Sequence, residues 1–204
     1  MSSRRKCSLK APNSDVLVEA QLIDELSKDD LVRAHLEWAP VRLEALKRLY
    51  EEKRGWPEHW HWDWSKKADM LDFLAFRCMG IEHEGRMQGL MMLSTVAGKS
   101  RLAGQIGKAV LYIEFLETAP WNVRDLVGTP KFLGVGVRLL EAAAEFSVDE
   151  GFGGRIALHS LPQSDDFYRK YMTDLGLDSS QSQGLRYFEM SAEQMRIFLE
   201  GRKP

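Results

Sequence analysis

Cysteine is scarce in this chain: two of 204 residues, Cys7 and Cys78. That rules out a disulfide framework and a cysteine-built zinc site, and it predicts a reduced, cytoplasmic protein. No apolar run approaches the roughly 18 residues that a membrane-spanning helix needs. The first ten residues are polar and basic, without the hydrophobic stretch of a secretory leader, so no membrane partner is expected. Neither sign of charge dominates, with 28 Lys and Arg against 30 Asp and Glu. There is thus no domain-wide basic field for nucleic acid. What the chain does have is an ordinary globular balance of 44% hydrophobic and 28% charged residues, which excludes disorder of the bulk. Its length suits a loose basic arm over 1–14, containing Arg4-Arg5-Lys6, and a single domain over 15–204.

Apolar residues at 16, 18, 20 and 22 predict a strand over 16–23. Ser27 with Asp29 and Asp30 marks a helix start, and helical spacing follows to about residue 52, interrupted or restarted at Pro40. The segment WPEHWHWDW at 56–64 holds four of the six tryptophans and reads as a loop leading to a short helix over 67–72. Strands at 73–82 and 86–95 flank Glu82-His83-Glu84-Gly85, a hairpin signal. A glycine-containing loop (97–107) and an apolar strand (108–118) follow. Then come a helix (137–150), a strand (155–160), a helix (164–174), a strand (185–190) and a helix from Ser191 to about 199. This order predicts an α/β (α+β) fold with a mixed sheet and helices on both faces.

The chemistry concentrates where strand 108–118 leads to Gly134-Val135-Gly136 at the mouth of a helix. Glycine lets main chain approach a bulky anion, and the first amides of a helix have no intrahelical partner. Phosphate oxygens accept from such amides, and Lys131 adds a cation. Alone, a GxG turn is equally satisfied by a plain helix start. A dinucleotide-binding loop fits poorly, because its third glycine would fall at Leu139.

Five phrases in order narrow the reading: LYIEFLETAP at 111–120, KFLGVG at 131–136, RIALHS at 155–160, DFYRKYMTDLGL at 166–177 and LRYFEM at 185–190. Together they resemble the GNAT family of acyl-CoA-dependent N-acyltransferases, over residues 72–190. There are departures. Lys131 replaces Gln or Arg, Thr118 stands where Val is usual, Leu161 replaces Asn, and the 121–130 loop is long. The resemblance implies a central mixed, mostly antiparallel sheet with a splayed parallel strand pair, and acetyl-CoA as co-substrate. The pantetheine arm would lie along Leu116, Glu117 and Thr118. The pyrophosphate would rest on the amides of Leu133, Gly134, Val135, Gly136 and Val137, beside Lys131. Tyr168, with Tyr171 as its neighbour in sequence, would sit near the thiol sulfur as general acid. The acceptor would be a small-molecule or peptide amine, and a homodimer is compatible with the family.

Amide formation from a thioester needs a neutral amine and an acid for the leaving thiolate. Glu114 and Glu117 fall on opposite faces of the same strand, and either could take the amine proton. Glu114 ranks first because it shares a face with Tyr112, Leu116 and Thr118; a solvent-facing or ion-paired role remains open for each. His159, at a strand end, reads as substrate-orienting or as a satisfied structural histidine. Trp60 and Trp62 either wall an acceptor pocket or anchor the helical region to the sheet. His59, His61 and Asp63 form HxHxD, but without matching ligands elsewhere no metal is assigned. Two other readings stay open: a non-catalytic GNAT-like CoA-binding or interaction module, and a nucleotide-binding protein of another α/β family.

Overall fold

The computed structural model describes residues 3–180 and 184–201. The chain forms two compact units, Met1–Met92 with Phe115–Leu139, and Leu93–Glu114 with Leu140–Pro204. The first unit contains β1 (Arg4–Lys10), β2 (Leu17–Ile23), α1 (Lys28–Glu51), α2 (Trp64–Lys67), β3 (Phe76–His83) and α3 (Arg124–Val127). Three elements run through both units: β4 (Arg86–Lys99), β5 (Ala109–Thr118) and α4 (Val135–Asp149). The second unit adds β6 (Ile156–Ser160), α5 (Asp165–Tyr168), β7 (Thr173–Leu177), β8 (Arg186–Met190) and α6 (Ala192–Glu200).

The eight strands hydrogen-bond in the order β1-β2-β3-β4-β5-β6-β8-β7. The sheet is mixed and mostly antiparallel, as expected from the sequence. β5 and β6 form its parallel pair, and their register spans Leu111↔Ile156 to Ile113↔Leu158. β5 runs on to Thr118 outside that register.

Local chemistry explains most element boundaries. Ser27 caps α1 in a reciprocal capping box with Asp30, and Ser191 does the same for α6 with Gln194. Glu84 and Gly85 both take positive φ (52° and 74°), the geometry of a two-residue hairpin turn between β3 and β4. α1 runs unbroken through Pro40, where a break or restart was expected. Proline forfeits one main-chain hydrogen bond. Side chains on either side of it hold the helix down: Trp38 is fully buried with its Nε1 donating to the Met87 carbonyl, and Arg42 is buried two residues beyond.

Three further expectations fail. The supposed loose arm contains β1, all seven of whose residues pair with β2. Ion pairs Arg5–Asp24 and Lys6–Glu19 cross that pairing, and Leu9 is buried. Main-chain bonding and charge complementarity supply what the polar sequence hides. The helix expected over 164–174 ends after one turn at Tyr168. Thr173 and Asp174 pair instead with Glu189 and Phe188 of β8, so sheet pairing overrides local helical spacing. The expected loop at 97–107 likewise starts later, since β4 continues to Lys99. No helix among the described residues is long and apolar enough to cross a membrane.

Candidate active site

In the first unit, α4 opens at Gly134, whose φ is +89°, a conformation that L side chains rarely adopt. A Cβ at this position would meet no atom within 4 Å, so the space beside Gly134 itself is open. The Gly134 carbonyl accepts from Arg138, while the amides of Gly134, Val135, Gly136 and Val137 have no acceptor among the described residues. Leu133 differs from expectation. Its amide donates to the Lys10 carbonyl at 2.8 Å, so β1 uses the first of the five proposed donors. Lys131 is exposed, with its ammonium 5.3 Å from the Phe132 ring centroid.

Gly89 of β4 seats the helix mouth against β5. A Cβ there would lie 2.6 Å from the Val135 Cγ1 and 3.3 Å from the Glu117 carbonyl oxygen. The start of α4 and the Leu116–Thr118 stretch therefore meet at one point of β4. The long loop after β5 is fastened to the same place. Trp121 Nε1 donates to the Gln88 side chain (2.9 Å), and the Asn122 side chain bridges Gln88 and the Phe132 amide.

The Glu117 side chain points away from solvent into a polar knot. Oε1 accepts from Arg42 (2.6 Å) and Oε2 from Trp64 Nε1 (2.6 Å), while the His59 Nε2 lies 3.8 Å from Oε1. Arg42 also donates to the Trp62 carbonyl. Burial raises the Glu117 pKa from 4.5 to about 7, against the opposing pull of Arg42, Trp64 and Lys67. Burial likewise pushes the His59 imidazole down to about 4. Beside the knot, Trp62 packs edge-on to Phe115 with centroids 5.1 Å apart. Trp60 instead pairs with Trp56, and both remain about half exposed (46% and 45%). Asp63 caps α2 by accepting from the Ser65 and Lys66 amides. Among the described residues no group of three His, Cys, Asp or Glu side chains is placed to hold a metal ion.

The second unit holds the other candidates. Glu114 is half-buried, and burial raises its pKa. Tyr168 is buried, its ring against Phe167 and Phe188, and its hydroxyl has no hydrogen bond among the described residues. Burial drives this phenol well above the usual range, so it stays protonated at neutral pH. His159 is engaged on both nitrogens, Nδ1 with the Tyr112 hydroxyl at 2.5 Å and Nε2 with Asp178 at 3.0 Å. Asp178 is also bound by Arg101 (2.6 Å) and the Ser180 hydroxyl (2.6 Å).

Arg42, Lys67, Arg101 and Asp178 escaped the sequence reading. Arg42 did leave a signal. It falls in the buried series Leu31, Ala34, Trp38, Arg42, Ala45, Leu49, a lone charge within a helical apolar stripe. Asp178 left none.

No protein-family profile matches the chain, and no curated protein matches it in sequence. Solved structures do resemble it. The GNAT domain of S. lividans PAT is 16% identical, with 91% of this chain and 96% of that one covered and a TM-score of 0.54. An aminoglycoside acetyltransferase AAC(6')-Ib, in complex with coenzyme A and kanamycin, is 15% identical over 87% and 97% of the two chains (TM-score 0.54). A GNAT-family acetyltransferase from Listeria monocytogenes 4b F2365 is 12% identical over 90% and 98% (TM-score 0.52). The fold is that of the GNAT acetyltransferases, as the sequence resemblance implied.

Proposed function

We propose that this chain is an N-acetyltransferase that moves an acetyl group from acetyl-CoA directly to an amine, carried by a small molecule or a peptide. The carrying observation is the helix mouth at Gly134, open beside that glycine and with amides that have no acceptor among the described residues, seated through Gly89 beside a stretch of β5 outside the β6 register. Such a stretch offers main-chain groups to the amides of pantetheine, and the helix mouth offers N–H donors to a diphosphate. Leu116, Glu117 and Thr118 hold the arm through their main chain. Gly134 to Val137 hold the phosphates, with Lys131 as the nearby cation. The aminoglycoside acetyltransferase of the same fold binds coenzyme A, which supports the choice of cofactor.

Glu114 is the proton acceptor in this reading. Both oxygens of Glu117 already accept hydrogen bonds, from Arg42 and Trp64, whereas burial has lifted the Glu114 pKa without an ion pair among the described residues. The deprotonated amine attacks the thioester carbonyl, a C–N bond forms, the C–S bond breaks, and Tyr168 gives its proton to the thiolate. Glu117 contributes its backbone and a rigid side chain rather than a proton. Cys7 and Cys78 stand as thiols rather than as a disulfide, in keeping with a cytoplasmic setting.

Calorimetry with acetyl-CoA, with ATP and NAD for comparison, tests the assignment. Acetyl-CoA is expected to bind, and Gly134→Glu to abolish that binding by placing a carboxylate in the phosphate space. Gly134→Ala retains it at a cost in stability, since φ +89° strains any Cβ. Unchanged affinity in Gly134→Glu removes the cradle. Tyr168→Phe is expected to lower turnover by roughly 100-fold or more with little change in acetyl-CoA affinity. Binding without turnover on any amine would leave a CoA-binding module.

A further inference from the structure

We propose that Lys67 is an internal acetyl acceptor, modified by acetyl-CoA bound to its own chain. The inference rests on the acetyltransferase reading and adds a site to it.

Lys67 closes α2, and its ammonium lies 3.8 Å from the Phe115 ring centroid and 5.1 Å from that of Trp62. Three other lysines of the first unit rest on carboxylates at close range: Lys6 on Glu19 (2.9 Å), Lys10 on Asp15 (2.9 Å) and Lys28 on Asp72 (2.6 Å). Lys67 has no ion pair among the described residues and is held by two aromatic faces instead. Phe115 directly precedes the Leu116–Thr118 stretch assigned to the pantetheine arm. A primary amine thus sits over the residue next to that stretch, on a flexible four-carbon stem. It is half-buried, so it is sheltered from bulk water yet reachable.

Two further features suit it as a nucleophile. Partial burial lowers its pKa, with Glu117 and Asp63 pulling the other way, which enlarges the neutral fraction that can attack. The aromatic box also accepts the product, because an acetylated stem keeps its apolar contact with both rings after the charge is gone. In the step itself the ammonium releases one proton to solvent, and the neutral amine attacks the thioester carbonyl. A C–N bond forms and the C–S bond breaks. The second amine proton ends on the departing sulfur, giving acetyl-lysine and free CoA thiol. The modified residue no longer supplies the positive charge that Glu117 feels from Lys67.

Lys66 is the built-in control. It is the adjacent residue, its side chain is 85% exposed, and spontaneous acetylation favours the more accessible amine. The full chain is incubated with acetyl-CoA, digested, and read by tandem mass spectrometry able to separate positions 66 and 67. The expected result is acetylation at Lys67 ahead of Lys66, at a fractional rate independent of protein concentration. Lys67→Arg should lose the mass increment, and Gly134→Glu should lose it with Lys67 intact. If calorimetry shows acetyl-CoA bound while Lys67 stays unmodified, the inference is overturned and the acetyltransferase reading stands. Equal modification of both lysines that survives Gly134→Glu assigns the reaction to spontaneous chemistry and also overturns it. Absence of acetyl-CoA binding overturns the reading itself, and the internal acceptor with it.

Discussion

Each unit holds a buried carboxylate that accepts from an arginine guanidinium, Glu117 in the first and Asp178 in the second, and these two behave in opposite ways. Glu117 is 4% exposed and Asp178 8%, and each accepts from a guanidinium at 2.6 Å. Yet the Glu117 pKa is raised to about 7, whereas that of Asp178 is held well below the usual carboxylate range. Donor supply makes the difference. Asp178 receives the Ser180 hydroxyl and amide, Arg101 and His159, enough to favour its charged form outright. Glu117 receives Arg42 and Trp64, and its loss of hydration outweighs both. Arg42 is itself 7% exposed at its side chain, whereas that of Arg101 is 50% exposed and keeps its water. A short ion pair does not by itself fix the charge state of a carboxylate; the number of donors and the solvation of the partner decide it.

The largest expected effect follows from that contrast. Arg42→Met leaves a carboxylate buried without its counter-charge and is expected to cost about 3–5 kcal/mol of unfolding free energy. Replacing both Arg42 and Glu117 with methionine should recover much of that loss, because no orphaned charge remains. Arg101→Met is expected to cost about 0–1 kcal/mol, since its guanidinium is half in water and other donors still hold Asp178. Urea denaturation of the variants measures the gap. Equal losses from Arg42→Met and Arg101→Met would erase the distinction between the two sites.

The next effect is in pH. The folded chain binds the Glu117 proton more tightly than the unfolded chain, whose carboxyl has its ordinary value of 4.5. Stability from this group is complete below about pH 4.5 and is lost as pH rises through about 7. Asp178 has the opposite sign. Its pKa is lowered from 3.8, so its contribution is complete above that value and is lost as pH falls below it. Glu117→Gln should therefore flatten the stability profile between pH 4.5 and 7, and Asp178→Asn should flatten only its acid end. Urea midpoints across pH measure both slopes.

These two sites also show what a sequence discloses. Gly134, the Glu84-Gly85 hairpin, the caps at Ser27 and Ser191 and the apolar strand before the glycines were legible, because each acts within a few residues of itself. The pairing of Arg42 with Glu117 joins positions 75 apart, and that of Arg101 with Asp178 joins positions 77 apart. No local pattern encodes such distances. β1 was hidden for a related reason. Its charges satisfy partners on β2 and beyond, such as Glu82 for Arg4, so a strand that closes a sheet edge reads as a solvated tail. The brevity of α5 was hidden too, since the competing pairing lies on β8. Strand alternation separates Glu114 from Glu117, but it does not disclose that both Glu117 oxygens accept hydrogen bonds, from Arg42 and Trp64.

The smallest expected effect concerns the far end of the Asp178 network. The Tyr112 hydroxyl meets His159 Nδ1, and His159 Nε2 meets Asp178. With the carboxylate charged, Nε2 carries the hydrogen and Nδ1 accepts from the phenol. Burial, aided by the charge of Glu114, raises the Tyr112 pKa to about 12, so the phenol keeps its proton through the neutral range. Tyr112→Phe deletes this one hydrogen bond without removing a charge and is expected to cost about 0.5–1.5 kcal/mol. The cost should not vary with pH through neutrality, because the deleted group does not titrate there. A loss that grows with pH in that range would mean that the phenol ionises in the folded chain. The second unit would then share the property that distinguishes Glu117 in the first, a buried acid poised near neutrality.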